Sequence, residues 1–238
     1  MWDWFRRRSR PAGRTLRLRS RGEYDGITRV DFAELAPDID TFLGQAAYLQ
    51  LGFFETLTEL IALTPELARK EAISRAAGAA LRKHEELVAV IRDRDEDPTA
   101  LMLPFREPLD AFRAQVHGVR WPETMLSVHL TAGMLDDFYL ALSASYGETG
   151  LRVARALEAD DARSALVDIL LETLGESEEW PSLLALWGRR LVGDTLLIAR
   201  AALKGTENPT AMQETVEPVF TELMAAHARR MESLGLSS

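Results

Sequence analysis

The chain of 238 residues contains no cysteine. Disulfides, thiolate zinc sites, iron–sulfur clusters and cysteine nucleophiles are therefore excluded together. Any metal would be held by carboxylate and imidazole ligands. The chain also lacks an apolar run that is long enough and free enough of charge to span a bilayer. The charged start MWDWFRRRSR lacks the apolar stretch of a secretory signal, so we expect a cytoplasmic protein.

Acidic residues outnumber basic ones outside the first residues. The formal net charge is -9, although residues 1–21 carry eight arginines against a single acid, Asp3. The acidic remainder is poorly suited to bind a phosphate backbone, because such binding depends on Lys and Arg. We expect residues 1–23 to form a basic, disordered arm and residues 24–238 to form one helical domain. The arm is either a solvated chain end or a segment that contacts RNA such as tRNA.

Helical periodicity dominates the sequence after the arm, and we find no alternating strand pattern and no repeat of fixed period. Proline and glycine mark the ends of the helical segments. The predicted long helices cover residues 37–63, 64–94, 121–146, 151–174, 181–203 and 210–234, and a short one covers residues 109–116. Long helices joined by short loops predict an all-α, four-helix bundle with additional helices.

Four of the long segments place an ionisable residue on or beside their apolar stripe, where helical bundles build metal sites. A lone buried carboxylate is costly, so each should be paired with a cation, bound to a metal or protonated. The candidates are Glu55, His84, Asp136, Asp137, Arg190 and Asp194. Arg190 and Asp194 lie one helical turn apart, which favours an ion pair between them.

Two interpretations of these residues are open. In the first, two iron ions are held by Glu55, His84, Asp136 or Asp137, and Asp194, and activate dioxygen. In the second, Glu55, His84, Arg190 and Asp194 form a buried charge network without metal. Arg190 favours the second interpretation, because a guanidinium stays charged and repels a metal cation.

The segments AAYLQLGFFETL, LRKHEEL, LDDFY and LALWGRRLVGDTLLIAR occur in this order. Together they resemble the actinobacterial ferritin-like proteins grouped with the MiaE-like tRNA hydroxylases, over roughly residues 24 to 204. The resemblance implies a ferritin-like bundle and a non-haem di-iron monooxygenase that acts on a modified tRNA nucleoside or another hydrophobic substrate. It also implies that Glu55 is the carboxylate of the first helix and His84 the histidine of the second.

The sequence departs from the iron-ligand pattern of that family. The family places Glu-x-x-His on two helices, but Leu81 precedes His84 by three residues, and the other three histidines also lack the glutamate. The ligand set is therefore incomplete. The alternative is a non-catalytic helical scaffold or homodimer with a salt-bridged, metal-free core. Either residues 181–203 or residues 151–174 form the fourth helix of the bundle.

Overall fold

The structure, a computed structural model, describes residues 35–159, 162–204 and 209–238. Those residues form helices, turns and short connections, with no β-strand among them, which confirms the predicted all-α class. The predicted basic arm, residues 1–23, lies outside the described residues, so its structure and its binding of RNA stay predictions. No helix in the described part of the chain has both the length and the apolarity that a membrane crossing requires.

Nine α-helices account for most of the described chain. They are α1 (Ile39–Leu63), α2 (Leu67–Arg92), α3 (Pro98–Met102), α4 (Arg106–Val116), α5 (Trp121–Ser143), α6 (Gly147–Glu158), α7 (Arg163–Glu176), α8 (Trp180–Ala201) and α9 (Pro209–Ser233). The predicted long helices are all present, but the segment predicted as one helix over residues 151–174 is divided between α6 and α7. Ala162, in the left-handed region with φ 53°, precedes the first residue of α7.

Side chains at the helix ends explain two of the boundaries. Asp38 caps α1, because its Oδ1 accepts a hydrogen bond from the backbone N–H of Thr41 at 2.9 Å. This bond also holds the pKa of Asp38 below its usual range. Thr64, where the second predicted helix begins, donates its hydroxyl to the carbonyl oxygen of Leu60 at 2.7 Å, at the end of α1. Helix α2 therefore begins later, at Leu67.

The four-helix bundle is a closed ring of packed helices. Helix α1 packs against α2 and α5, and α6 and α7 each pack against both α2 and α5. Helices α6 and α7 together therefore form the fourth side of the bundle. Its core contains fully buried apolar side chains from three sides, including Phe42, Ile73, Leu87 and Phe138. The fold is the ferritin-like bundle that the sequence predicted.

Helix α8 lies outside the ring. It packs against α5, α7, α9 and α4 and makes no substantial contact with α1 or α2. The expectation that residues 181–203 aim charged groups at the middle of the bundle is therefore wrong. Residues 98–116, between α2 and α5, form α3, α4 and a short 3-10 turn, and these pack on the outer side of α1.

Candidate functional site

A buried ion pair lies inside the bundle, between α2 and α5. Lys83 Nζ is 2.7 Å from Oδ2 of Asp136, and the two side chains are only 3% and 7% exposed. Asp136 was expected at the border of the apolar face of α5, and the structure buries it. Removing two charges from water is costly, so such a pair needs close geometry and further hydrogen bonds.

Two more polar side chains complete the surroundings of Asp136. Gln50 of α1 donates its Nε2–H to Oδ1 of Asp136 at 2.7 Å, and Gln50 is itself buried. Arg163, the first residue of α7, places Nη2 at 4.0 Å from Oδ2. Helices α1, α2, α5 and α7 thus each contribute one side chain to a single cluster, which we call the Asp136 cluster: Gln50, Lys83, Asp136 and Arg163. It fixes the relative positions of the four sides of the bundle.

A cavity adjoins the Asp136 cluster. Its volume is about 350 Å³, counting the part that opens to solvent. The four cluster side chains share its wall with apolar ones, among them Phe53, Leu57, Val128 and Leu166. Lys83 and Arg163 outnumber the single carboxylate among the side chains of that wall. This is the reverse of the acidic lining that hard metal cations require.

His84 is next to the cluster in sequence but does not belong to it. The structure leaves His84 half-buried and places Lys83, its neighbour, on the buried stripe where His84 was predicted. The Nδ1 of His84 lies 2.9 Å from the carbonyl oxygen of Ala47 in α1. A carbonyl only accepts hydrogen bonds, so Nδ1 carries the proton and donates it, which ties α2 to α1.

Glu55 is not buried, contrary to the sequence prediction. Its side chain is 44% exposed and forms an ion pair with Arg113 of α4 rather than with Arg190. The reason is that α4 packs against both α1 and α8. The predicted network of Glu55, His84, Arg190 and Asp194 is therefore not assembled, although its Arg190–Asp194 pair is present at 3.7 Å.

The remaining predicted site residues bind partners outside the Asp136 cluster. Asp137 accepts a hydrogen bond from Nη2 of Arg230 in α9 at 2.6 Å. Asp194 accepts one from Nε2 of Gln115 in α4 at 2.7 Å. Each of these pairs joins an outer helix to a neighbour.

The donor set around Asp136 does not fit a di-iron centre. Bundles that hold two metal ions supply a carboxylate from each of two helices and a Glu-x-x-His pair from each of the other two. Here the four contributing helices supply one carboxylate, one amide and two cations. Across the described residues, no three His, Asp or Glu side chains are grouped so that they could hold a metal ion.

Sequence reasoning missed Lys83, Gln50 and Arg113. A stripe that contains Ala80 and Leu87 continues equally well through residue 83 or residue 84, since three- and four-residue steps are both helical. Lysine is rarely fully buried, so a lysine at residue 83 is not by itself a signal of a core position. The signal that could have found Lys83 is its spacing from Ala76 and Ala80, combined with the need of Asp136 for a cation.

Comparison with known protein families gives a match over more than half of the chain. The model of a family described as a ferritin-like domain of actinomycetes matches residues 36–209, from just before α1 to the start of α9. A search of curated proteins found no match.

Proposed function

The chain belongs to the actinomycete family of ferritin-like domains, and from this premise we propose that it acts without metal, as a helical scaffold that binds a partner or ligand. The Asp136 cluster takes the place of a metal centre in its core. The single observation that carries the proposal is the buried contact of 2.7 Å between Lys83 Nζ and Asp136 Oδ2.

Electrostatics support a lysine in place of a metal. An ammonium group in contact with a carboxylate supplies the positive charge that the carboxylate needs. A divalent cation bound to the same carboxylate would lie a few ångströms from that ammonium. Two unit charges of like sign at 4 Å repel by about 4 kcal/mol at the effective dielectric constant of a protein surface, and a divalent ion doubles this. Arg163 adds to the repulsion from the other side.

Hydroxylation of a tRNA nucleoside, which the resemblance to MiaE-like proteins implies, requires a different donor set. The reaction depends on iron, and the residues around Asp136 do not fit two iron ions, so we assign no catalytic step to them. Iron binding is therefore the property that separates the scaffold from the hydroxylase.

The test is elemental analysis of untagged protein after loading with ferrous iron under argon. We expect the wild type to contain well under one iron per chain, and no more than the Asp136→Asn variant, whose amide is a weaker metal ligand. His84→Ala should also equal the wild type. Two irons per chain in the wild type, lost in both variants, would overturn the proposal and favour the hydroxylase.

The basic arm favours RNA as one partner of the scaffold. Residues 1–21 carry eight arginines on a chain whose net charge is -9. If the arm binds tRNA, full-length protein should bind it in a gel-shift assay with an affinity that falls steeply with salt, as counterion release requires. Deletion of residues 1–21 should abolish this binding. Because tRNA is a cytoplasmic molecule, this proposal places the protein in the cytoplasm.

A homodimer is the other assembly proposed for the scaffold. Helix α9 packs against α5 and α8 through buried side chains such as Leu223 and Met231, so part of its apolar surface is already used within the chain. Light scattering coupled to size-exclusion chromatography measures the mass directly. A mass near 53 kDa, twice the 26.6 kDa of one chain, is the result that a dimer requires.

A further inference from the structure

A second cavity lies beneath α4 and shares Phe53 and Val128 with the wall of the cavity beside the Asp136 cluster. It occupies about 450 Å³, counting the part that opens to solvent, and is enclosed by α1, α4 and α5. Most of its wall is apolar. The side chains that contribute include Leu49, Phe53, Phe112, Val116 and Val128, and Gly52 leaves a gap in the wall of α1. Clefts lined mainly by apolar side chains, with a few polar groups, are the usual form of small-molecule sites.

Helix α4 covers this cavity and is only lightly attached. Phe112 and Val116 are its only buried residues. Its other attachments are polar bonds at the rim, such as that of Gln115 to Asp194 and that of Tyr48, whose hydroxyl donates to Oδ1 of Asp110 at 3.0 Å. A helix held by two buried side chains and partly exposed polar bonds moves aside at low cost. The cavity is thus accessible to a ligand.

The hydroxyl groups inside the cavity are already engaged within the protein. Thr131 donates to the carbonyl oxygen of Ser127 at 2.7 Å. Ser127 donates to the carbonyl oxygen of Glu123 at 2.9 Å and accepts from the indole N–H of Trp187 at 2.8 Å. A ligand therefore gains little from new hydrogen bonds to these groups. The interior selects for an apolar body of suitable size.

The polar rim has a specific charge pattern. Arg113 lies between two carboxylates: it forms an ion pair with Glu55, and its Nη2 is 3.5 Å from Oδ1 of Asp110. The two acids outnumber the one arginine, so the rim carries a net negative charge. Among the described residues, Oδ2 of Asp110 has no hydrogen-bond partner, and the Asp110 side chain is 41% exposed to solvent. Asp110 lines the cavity and so presents an acceptor to whatever enters it.

We propose that the cavity beneath α4 binds a small molecule that has an apolar body and a protonated amine, with the ammonium on the carboxylate of Asp110. An ammonium offers three donors and a positive charge. These suit Oδ2 of Asp110 as an acceptor and the net negative charge of the rim. A carboxylate or phosphate is disfavoured, because the positive charge of Arg113 is already neutralised by Glu55 and Asp110. Asp110 and Arg113 do not belong to the Asp136 cluster, so this site does not depend on the absence of metal from the core.

The protonation state of Tyr48 reinforces this preference. Burial, and after it the hydrogen bond to Asp110 and the nearby negative charge, raises the pKa of Tyr48 to about 12. A tyrosine hydroxyl is protonated at neutral pH even at its ordinary pKa near 10, and the raised pKa keeps Tyr48 donating to Oδ1 at more alkaline pH as well. That hydrogen bond orients the carboxylate and leaves Oδ2 for the ligand.

Three probes that share a phenyl ring and differ in the polar group test the proposal. They are 2-phenylethylamine, 2-phenylethanol and 3-phenylpropionate, and titration calorimetry on the full chain measures their affinities at pH 7. We expect the amine to bind most tightly, by about tenfold or more over the alcohol, which is the usual gain from a charge-assisted hydrogen bond. Fluorescence of Trp187 offers a second readout, with Trp187→Phe as its control.

Matched glycine variants locate the binding. Gly52→Leu adds bulk at the cavity wall, where the nearest atom to an added Cβ, outside the backbone of α1 itself, is Arg113 Cδ at 4.0 Å. Gly193→Leu is the control, because Gly193 is an exposed helical glycine with nothing within 4 Å of an added Cβ. Gly52→Leu should abolish binding of the amine, and Gly193→Leu should leave it at the wild-type affinity.

The variant Asp110→Asn tests the charge without changing the shape of the rim. Its amide oxygen still accepts from Tyr48, so the fold should be kept, and circular dichroism checks this. The amine should lose about tenfold in affinity while the alcohol is unaffected. The proposal is overturned if no probe binds, if the alcohol or the acid binds as tightly as the amine, or if the amine binds Asp110→Asn as it binds the wild type. If Gly52→Leu does not fold, the Asp110→Asn result decides alone.

Discussion

Lys83 and Asp136 form an ion pair of 2.7 Å in which each side chain is almost wholly removed from water. The two residues come from α2 and α5, which lie on different sides of the bundle and are 53 positions apart in sequence. Because both side chains are buried, removing either residue takes an opposite charge at 2.7 Å away from the other. This mutual dependence determines how single and double substitutions should behave.

The first prediction concerns removal of one partner. Lys83→Met keeps the length and apolar volume of the side chain but removes the closest cation from the buried Asp136, which retains the 4.0 Å contact with Arg163 and the hydrogen bond from Gln50. We expect the free energy of unfolding to fall by about 3–5 kcal/mol. Urea unfolding followed by circular dichroism measures it. The matched surface variant Arg190→Ala breaks an ion pair whose arginine is 57% exposed, and it should cost less than about 1 kcal/mol.

The double variant Lys83→Met with Asp136→Leu is the second prediction. Replacing both charges with apolar groups removes the desolvation penalty, so much of the stability lost in the single variant should return. Gln50 then loses its acceptor, which leaves a residual cost of about 1–3 kcal/mol. If the double variant is less stable than Lys83→Met alone, the ion pair does not account for the stability of the core.

The third prediction follows from the exposure of Glu55. The sequence placed this residue in the core, where loss of its charge would be severe. The structure leaves it 44% exposed beside Arg113, so Glu55→Gln should lower the free energy of unfolding by less than about 1 kcal/mol. The effect should shrink further in high salt, because exposed pairs are screened. Urea unfolding at two salt concentrations checks both statements, and a loss above about 3 kcal/mol would contradict the exposed placement.

The fold could be predicted because long helices leave strong periodic signals in the sequence. The members of the Asp136 cluster could not be predicted from those signals. Apolar residues at helical spacing fix which segments are helices, but a stripe through Ala80 and Leu87 accommodates residue 83 or residue 84 equally well. Only the three-dimensional proximity of Asp136 decides that Lys83 is inside. Choosing between neighbouring positions requires knowledge of the partner, and the partner is remote in sequence.

Helices α4 and α8 illustrate a second reason. The sequence of α8 has an apolar stripe with Arg190 and Asp194 on it, and this stripe is equally consistent with a central helix and with an outer one. In the structure α4 lies against it and Gln115 binds Asp194. Periodicity indicates that a face is covered but does not indicate by which element. The sequence is therefore consistent with either of two segments as the fourth side of the bundle.

The fourth prediction is a loss of stability in mild acid, caused by His227. This residue of α9 is 3% exposed. Burial, and after it the positive charge of Arg230, lowers the pKa of His227 to about 4. An unfolded chain has a histidine pKa near 6.5, so the unfolded state binds the extra proton between these values. The stability is therefore complete above about pH 6.5 and falls by about 3 kcal/mol as the pH decreases to 4.

Two variants separate His227 from the other groups that titrate in this range. His227→Gln removes the proton-binding site, so its stability should change less between pH 7 and pH 4.5 than that of the wild type, even if it is less stable at pH 7. His117→Gln removes an exposed histidine and should keep the wild-type dependence. Thermal unfolding across this pH range provides the data. Equal pH profiles for the wild type and His227→Gln would contradict the assignment.

The last prediction compares two helical glycines. Gly150 of α6 is buried, and a Cβ added there would overlap the carbonyl oxygen of Ser143 at the end of α5. The added Cβ is attached directly to the backbone of α6, and the oxygen belongs to the backbone of α5, so the overlap is relieved only if α6 moves away from α5. Gly150→Ala should therefore cost about 1–3 kcal/mol. Gly193→Ala in α8 has open space instead and should gain up to about 1 kcal/mol from helix propensity. The two melting temperatures should therefore shift in opposite directions, by about 2–4 °C for each kcal/mol in a chain of this size. A rise in both would show that the corner between α5 and α6 is not closely packed.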